Sequence, residues 1–104
     1  MFMIADCIDK EDIAILHFPP TEVLHSQEEI KQRKVDAERA RFLGNCYTSK
    51  VLIQFKDAAG VKQVETTIWA VTETKVILKN NMSIPLHRII KVHIPDESLK
   101  YPNI

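Results

Sequence analysis

The sequence predicts one mainly-β (α+β) domain. An acidic leader (1–25) and a charged α-helix (26–44) precede a small barrel of five short strands (45–94), and a short tail (95–104) follows. Three observations predict this organisation. The chain has 104 residues, 45% hydrophobic and 27% charged, which suits one compact core and not two domains. After Gly44 the hydrophobic pattern changes from helical to alternating. Turn-forming residues then divide the alternating part into five segments.

The helix is predicted to run over residues 26–43. Ser26 followed three residues later by Glu29 forms a capping-box pattern at its start. Gly44 suits the left-handed conformation that ends many helices, so the helix is expected to stop there. Its apolar side chains scatter around the helical wheel, and we therefore expect much of this helix to be exposed to solvent.

Five strands are predicted after the helix, at residues 50–56, 61–72, 75–79, 82–84 and 89–94. Gly60 and the Asn80-Asn81 pair mark two of the turns, because these residues tolerate positive φ. Pro85 has no amide proton for a sheet, so residues 85–88 are expected to form one helical turn before the last strand. Short strands joined in this way predict a small barrel.

Charge is uneven along a chain whose net charge is zero. Residues 1–25 carry five acids against one lysine, a net charge of −4, whereas residues 45–94 carry a net charge of +4. Residues 12–18 are predicted to add a strand along a barrel edge, or else to form an ordinary strand or short helix that completes the core. If the acidic leader covers the basic face of the barrel, it either limits access of nucleic acid within one chain or reaches a second copy in a dimer.

Residues 46–94 resemble the small barrels of the SH3-like and Sm-like class. The run Val-Ile-Leu-Lys-Asn-Asn-Met-Ser-Ile-Pro-Leu-His-Arg-Ile-Ile-Lys-Val, residues 76–92, is similar to their ending of hairpin, short strand, 3₁₀ turn and last strand. Residues 64–70, Val-Glu-Thr-Thr-Ile-Trp-Ala, are also similar to short uncharacterised bacterial proteins, and that resemblance implies no activity. The barrel resemblance implies a binding module. The Arg-Gly-Asx of the Sm RNA-contacting loop is not present in this sequence.

No catalytic residue, metal site or cofactor is expected, so the chain is predicted not to be an enzyme. Cys46 with His87 or His93 is the nearest approach to a nucleophile and a base, but no spacing brings them together. Cys7 and Cys46 lack the spacing of a zinc site and are interpreted as reduced thiols. A pH-dependent or metal-binding role for either histidine stays open. No apolar run approaches the roughly 20 residues of a membrane-spanning helix, so a cytoplasmic protein without membrane contact is expected.

The preferred functional prediction is non-catalytic binding of another protein, or self-association, and the alternative is weakly sequence-specific binding of RNA or single-stranded nucleic acid. The residues predicted for the protein contact are Ile13, Ile15 and Phe18. The residues predicted for the nucleic-acid contact are Lys50, Lys56, Lys79, Arg88 and Lys91 for phosphate and Trp69 for base stacking. The competing interpretations are a solvated lysine face and a tryptophan that fills the core.

Overall fold

A computed structural model describes residues 6–94, which form one α-helix, two 3₁₀ helices and seven strands. The helix α1 spans Gln27–Tyr47, and the 3₁₀ helices span Lys10–Ile15 and Leu86–Arg88. The strands are β1 Asp6–Ile8, β2 Val51–Asp57, β3 Gly60–Thr66, β4 Ile68–Val71, β5 Lys75–Leu78, β6 Ser83–Pro85 and β7 Ile89–His93. The α+β class with a single main helix is confirmed. The predicted tail lies outside the described residues.

The strands form two sheets. The first has the order β1-β3-β2-β7, in which β1 is parallel to β3 and the other pairs are antiparallel. The second is the antiparallel sheet β4-β5-β6. Thr67 separates β3 from β4, so the single strand predicted at 61–72 belongs to both sheets. The hydrogen-bonded ladders within residues 6–94 leave the two sheets separate, and the closed five-stranded barrel is not confirmed.

One hydrophobic core joins the two sheets and α1. The predicted alternation in β2 is confirmed, because Val51, Ile53 and Phe55 are fully buried. Further fully buried side chains come from the other elements: Ala37, Ala40, Val64, Ile68, Val76, Leu78, Ile84 and Ile89. Within residues 6–94 no helix has both the length and the hydropathy needed to span a bilayer.

The strand predicted at residues 12–18 is wrong, and the alternative of a short helix that completes the core describes this segment. Lys10–Ile15 is a 3₁₀ helix in which Ile13 is buried and Ile15 is 84% exposed. In a strand these two side chains would share one face, whereas the 3₁₀ turn points them apart. The added strand is β1 instead, which sets Cys7 opposite Gln63 on β3.

Helix α1 begins as predicted and ends later than predicted. Ser26 is the N-cap, and its Oγ accepts a hydrogen bond from the Glu29 backbone N–H at 3.0 Å. The helix continues through Gly44, and the left-handed C-cap residue is Thr48, with φ 56°. The predicted end at residue 43 is therefore wrong. Gly44 is needed for a close approach to β4, because an added Cβ would lie 2.5 Å from the backbone oxygen of Ile68.

Ser49, just after α1, gives the first testable prediction. Within residues 6–94, its Oγ is the one side-chain polar atom that is inaccessible to solvent and has no hydrogen-bond partner. Since such a group costs about 1–3 kcal/mol, we expect Ser49→Ala to raise the free energy of unfolding by about 1 kcal/mol in urea denaturation. The matched control, Ser26→Ala, removes an N-cap and is expected to lower it by about 1 kcal/mol. A loss of stability in Ser49→Ala would contradict the prediction.

Candidate binding surfaces

The basic residues predicted for nucleic acid line separate depressions of the surface. Lys50 and Lys79 lie together in a cleft that also contains Lys10 and Glu65. Lys56 lies beside Arg88 at a second cavity. Lys91 lines a groove with other residues of the first sheet, among them Leu52, Gln54 and His93. The structure thus places Lys50 near Lys79 and Lys56 near Arg88. The side chains of these lysines and of Lys91 are exposed.

Arg88 is buried, which corrects its expected place on an exposed basic face, whereas its contact with phosphate stays a prediction. Its residue is only 5% exposed. The guanidinium Nε donates to the Lys56 backbone oxygen at 2.9 Å, and Nη1 donates to the backbone oxygen and the Oγ1 of Thr21, at 2.8 and 3.1 Å. These bonds hold the segment before α1 against β2. Arg88 therefore has a structural role inside the fold.

His87 also holds the segment before α1. Its Nε2 donates a hydrogen bond to the Pro19 backbone oxygen at 3.1 Å. Its own backbone oxygen accepts one from the Val23 N–H at 2.9 Å. With the contacts of Arg88, the second 3₁₀ helix thereby fixes residues 19–23 along their length. His93, in contrast, is exposed at the end of β7.

Trp69 is 49% exposed, so it does not fill the core. It lies in β4 at a point where the pairing with β5 shifts register between Ile68 and Ala70. Because successive strand residues point to opposite faces, Ile68 is buried on the inner side while the indole of Trp69 stays outside. The indole of Trp69 is therefore accessible, and base stacking on it stays a prediction.

An ion pair between Glu22 and Arg33, which the sequence does not predict, joins the leader to α1. Arg33 Nη1 and Nη2 donate to Glu22 Oε2 and Oε1 at 2.6 and 2.7 Å, and Nη1 also donates to the Ile89 backbone oxygen at 3.0 Å. The hydrogen bonds from Arg33 lower the pKa of Glu22 from 4.5 to about 2. One signal was present in the sequence: Arg33, Ala37 and Ala40 share one helical face, and that face is buried.

The residues predicted for protein contact differ in their exposure. Ile13 is 3% exposed and belongs to the core, so its prediction as a docking residue is wrong. Phe18 is half-buried, and its ring packs on Phe55 with the centroids 5.9 Å apart. Of the three, only Ile15 is widely exposed. Its 3₁₀ helix contains no second large apolar side chain that is exposed.

A larger apolar feature lies on α1, on the side away from the core. Val35 is 50% exposed and Phe42 is 48% exposed. They are seven residues apart, so they follow each other along one face, two helical turns apart. We call the surrounding surface the outer face of α1, which consists of Glu28, Lys31, Val35, Glu38, Arg39, Phe42 and Cys46. The sequence does not predict an apolar stripe here, because two apolar residues at this spacing make a weak signal among so many charges.

The described part of the chain gives no sign of a metal centre: among residues 6–94, no group of three His, Cys, Asp or Glu side chains is arranged to hold a metal ion. Comparisons of the chain with protein-family models, with curated proteins and with solved structures give no match. Among the side chains that the fold leaves accessible, those of the outer face of α1 form the strongest candidate for a binding surface.

Proposed function

We propose that the chain is a non-catalytic binding module that self-associates through the outer face of α1. The observation that carries this proposal is the pair Val35 and Phe42, which are half-exposed on the side of the helix that the core does not use. Apolar side chains at positions i and i+7 are a common anchor pair in contacts between helices. The opposite face of α1 is already occupied, since it packs on β4 and β7.

The charges of this face favour a second copy over a strongly charged partner. Glu28 and Glu38 balance Lys31 and Arg39, so the face has no net charge. A neutral face that carries both positive and negative side chains can pair opposite charges with a second copy of itself. A strongly acidic or basic partner would meet as many like charges as opposite charges on this face, so it would gain no net attraction. In an antiparallel pair about a two-fold axis near residues 38 and 39, Val35 of one copy meets Phe42 of the other.

The effect of Phe42→Asp tests this association. The apolar area is small, so the dimer is expected to be weak, on the order of 0.1 mM in Kd. At roughly that concentration, sedimentation equilibrium should give an average mass between one and two chains for the unaltered protein. Phe42→Asp puts a carboxylate into the apolar contact, and we expect the mass of a single chain.

The matched control is Ile15→Asp, the same kind of change at a residue that is 84% exposed outside this face. It should leave the association unchanged, and circular dichroism should show both variants folded. A single-chain mass for the unaltered protein at every concentration overturns the proposal. So does an equal loss of association in both variants.

The orientation of the two helices can be tested with Cys46, which is exposed on the same face. The antiparallel pairing sets residue 31 of one copy opposite residue 46 of the other. A Cys7→Ser chain that also carries Lys31→Cys is therefore expected to form a disulfide-linked dimer in mild oxidant, through Cys46 of the second copy. Cys7→Ser alone should stay largely unlinked. Equal cross-linking of the two proteins counts against the antiparallel pairing.

The relation to SH3-like and Sm-like barrels belongs to the same proposal. Two features support this relation: the order of strands from β2 to β7 with a 3₁₀ helix before the last strand, and the single core shared by both sheets.

Cys7 and Cys46 are free and exposed, which suits the reducing cytoplasm. Nucleic-acid binding along one basic face has less support, since its cations lie in separate depressions and Arg88 is buried.

A further inference from the structure

We infer that the cavity beside Arg88 is a binding site for a phosphate group. The cavity has a volume of about 430 Å³ and lies between the segment before α1 and the strands β2, β3 and β7. Its polar lining consists of Thr21, Glu22, His25, Lys56 and Arg88. The site shares no residue with the outer face of α1, so the inference is independent of self-association.

The buried guanidinium of Arg88 has no acidic partner. All three of its hydrogen bonds go to uncharged oxygens, and within residues 6–94 no carboxylate lies within ion-pair distance of it. Arg33 shows the usual arrangement in the same fold, because its buried guanidinium is paired with Glu22. A buried charge normally has an opposite charge beside it. At Arg88 that charge is left for a ligand to supply.

The guanidinium also keeps free hydrogen-bonding capacity. Nε and Nη1 donate to Lys56 and Thr21, whereas Nη2 has no acceptor within residues 6–94. Within this range, Ser49 Oγ is the one side-chain polar atom that is both inaccessible to solvent and without a hydrogen-bond partner. Because Nη2 also has no partner, it must be accessible to solvent. A donor of this kind in the lining of a cavity suits an oxyanion.

The other charges at the cavity also favour an anion. Lys56 is exposed and lines the cavity with Arg88, and its backbone oxygen accepts the Arg88 Nε bond, so the two residues are held together. Glu22 is the acid in the lining, and both of its carboxylate oxygens are engaged by Arg33. The remaining charge is therefore positive. One guanidinium and one ammonium group suit the several oxygens of a phosphate.

The cavity is larger than inorganic phosphate alone requires. Val23, Val61 and Ile90 add apolar surface to its walls, which can contact the organic part of a phosphate ester. Two sources supply the same chemistry, a small phosphate ester and the backbone of a single-stranded nucleic acid. The experiment therefore uses inorganic phosphate, adenosine monophosphate and a mixed-sequence RNA decamer as separate probes.

The test is an NMR titration of the full chain at constant ionic strength, in which backbone amide shifts report binding. Saturable shifts at residues 21–25 and 88–90 are expected with inorganic phosphate and with adenosine monophosphate. Lys56→Gln is expected to raise the Kd about tenfold, since it removes one of the two cationic contacts. Lys75→Gln, the same change at an exposed lysine that does not line the cavity, should change the Kd less than twofold, so it controls for net charge.

Two results overturn the site: no saturable shift with either small probe, or equal weakening by Lys56→Gln and Lys75→Gln. Two other results support it and identify the source of the phosphate. Binding of the small probes without the decamer indicates a small ester. Tighter binding of the decamer with the same dependence on Lys56 indicates a nucleic-acid backbone. Since Lys56 lies outside the outer face of α1, loss of phosphate binding and loss of self-association remain separate results.

Discussion

Gly44→Ala is expected to destabilise the protein by about 2 kcal/mol, although the same change stabilises most helices. An alanine Cβ would lie 2.5 Å from the Ile68 backbone oxygen and 2.8 Å from Thr67 Cγ2. The oxygen belongs to β4, so it moves only if the strand moves. In an unobstructed helix interior, alanine is favoured over glycine by roughly 1 kcal/mol. The sign of the measured change therefore reports the close packing of α1 on β4.

Urea denaturation of Gly44→Ala measures this effect, with Asn45→Ala as the matched control. Asn45 is the next residue of the same helix and is exposed, so its replacement by a better helix former should be neutral or slightly stabilising. If Gly44→Ala is as stable as the unaltered protein, or more stable, α1 does not approach β4 as closely as described.

Local features of the fold followed from local patterns. The N-cap at Ser26 needs only one side chain and an amide three residues away. The turn at Asn80-Asn81 was predicted from residues that tolerate positive φ, and Asn81 has φ 69°. The helical turn before β7 follows from Pro85, which lacks an amide proton, and Leu86–Arg88 is a 3₁₀ helix. In each case the decisive interaction lies within a few residues.

The predictions that are wrong concern places where distant segments of the chain meet. Gly44 resembles a helix end in sequence, and only the approach of β4 shows why a side chain is excluded there. Arg88 resembles a surface cation beside a strand, but the segment around Thr21 crosses over it and supplies its acceptors. The outer face of α1 gives only a weak signal in the sequence, and which helical face is buried depends on the packing against β4 and β7. The candidate sites thus depend on tertiary contacts that spacing alone does not contain.

Glu22→Gln is expected to lower the free energy of unfolding by about 2 kcal/mol near neutral pH. The change leaves the guanidinium of Arg33, whose side chain is 5% exposed, without an opposite charge. Breaking a fully buried pair costs roughly 3 to 5 kcal/mol. The expected cost is smaller because the Glu22 side chain is 31% exposed, and solvent screens part of the interaction. Urea denaturation measures the difference, and Glu28→Gln, at an exposed acid in the first turn of α1, is the control expected to cost well under 1 kcal/mol.

The same pair determines how this difference depends on pH. The pKa of Glu22 is about 2 in the folded chain, against 4.5 for the free side chain, so folding favours the ionised carboxylate. The stabilisation is complete above about pH 4.5 and is lost as the pH falls from there toward about 2. We therefore expect the gap in unfolding free energy between the unaltered protein and Glu22→Gln to narrow over that range. Asp57, whose pKa is also lowered, is present in both proteins and cancels in the difference. A gap that stays constant down to about pH 2.5 would show that the charge of Glu22 does not carry the effect.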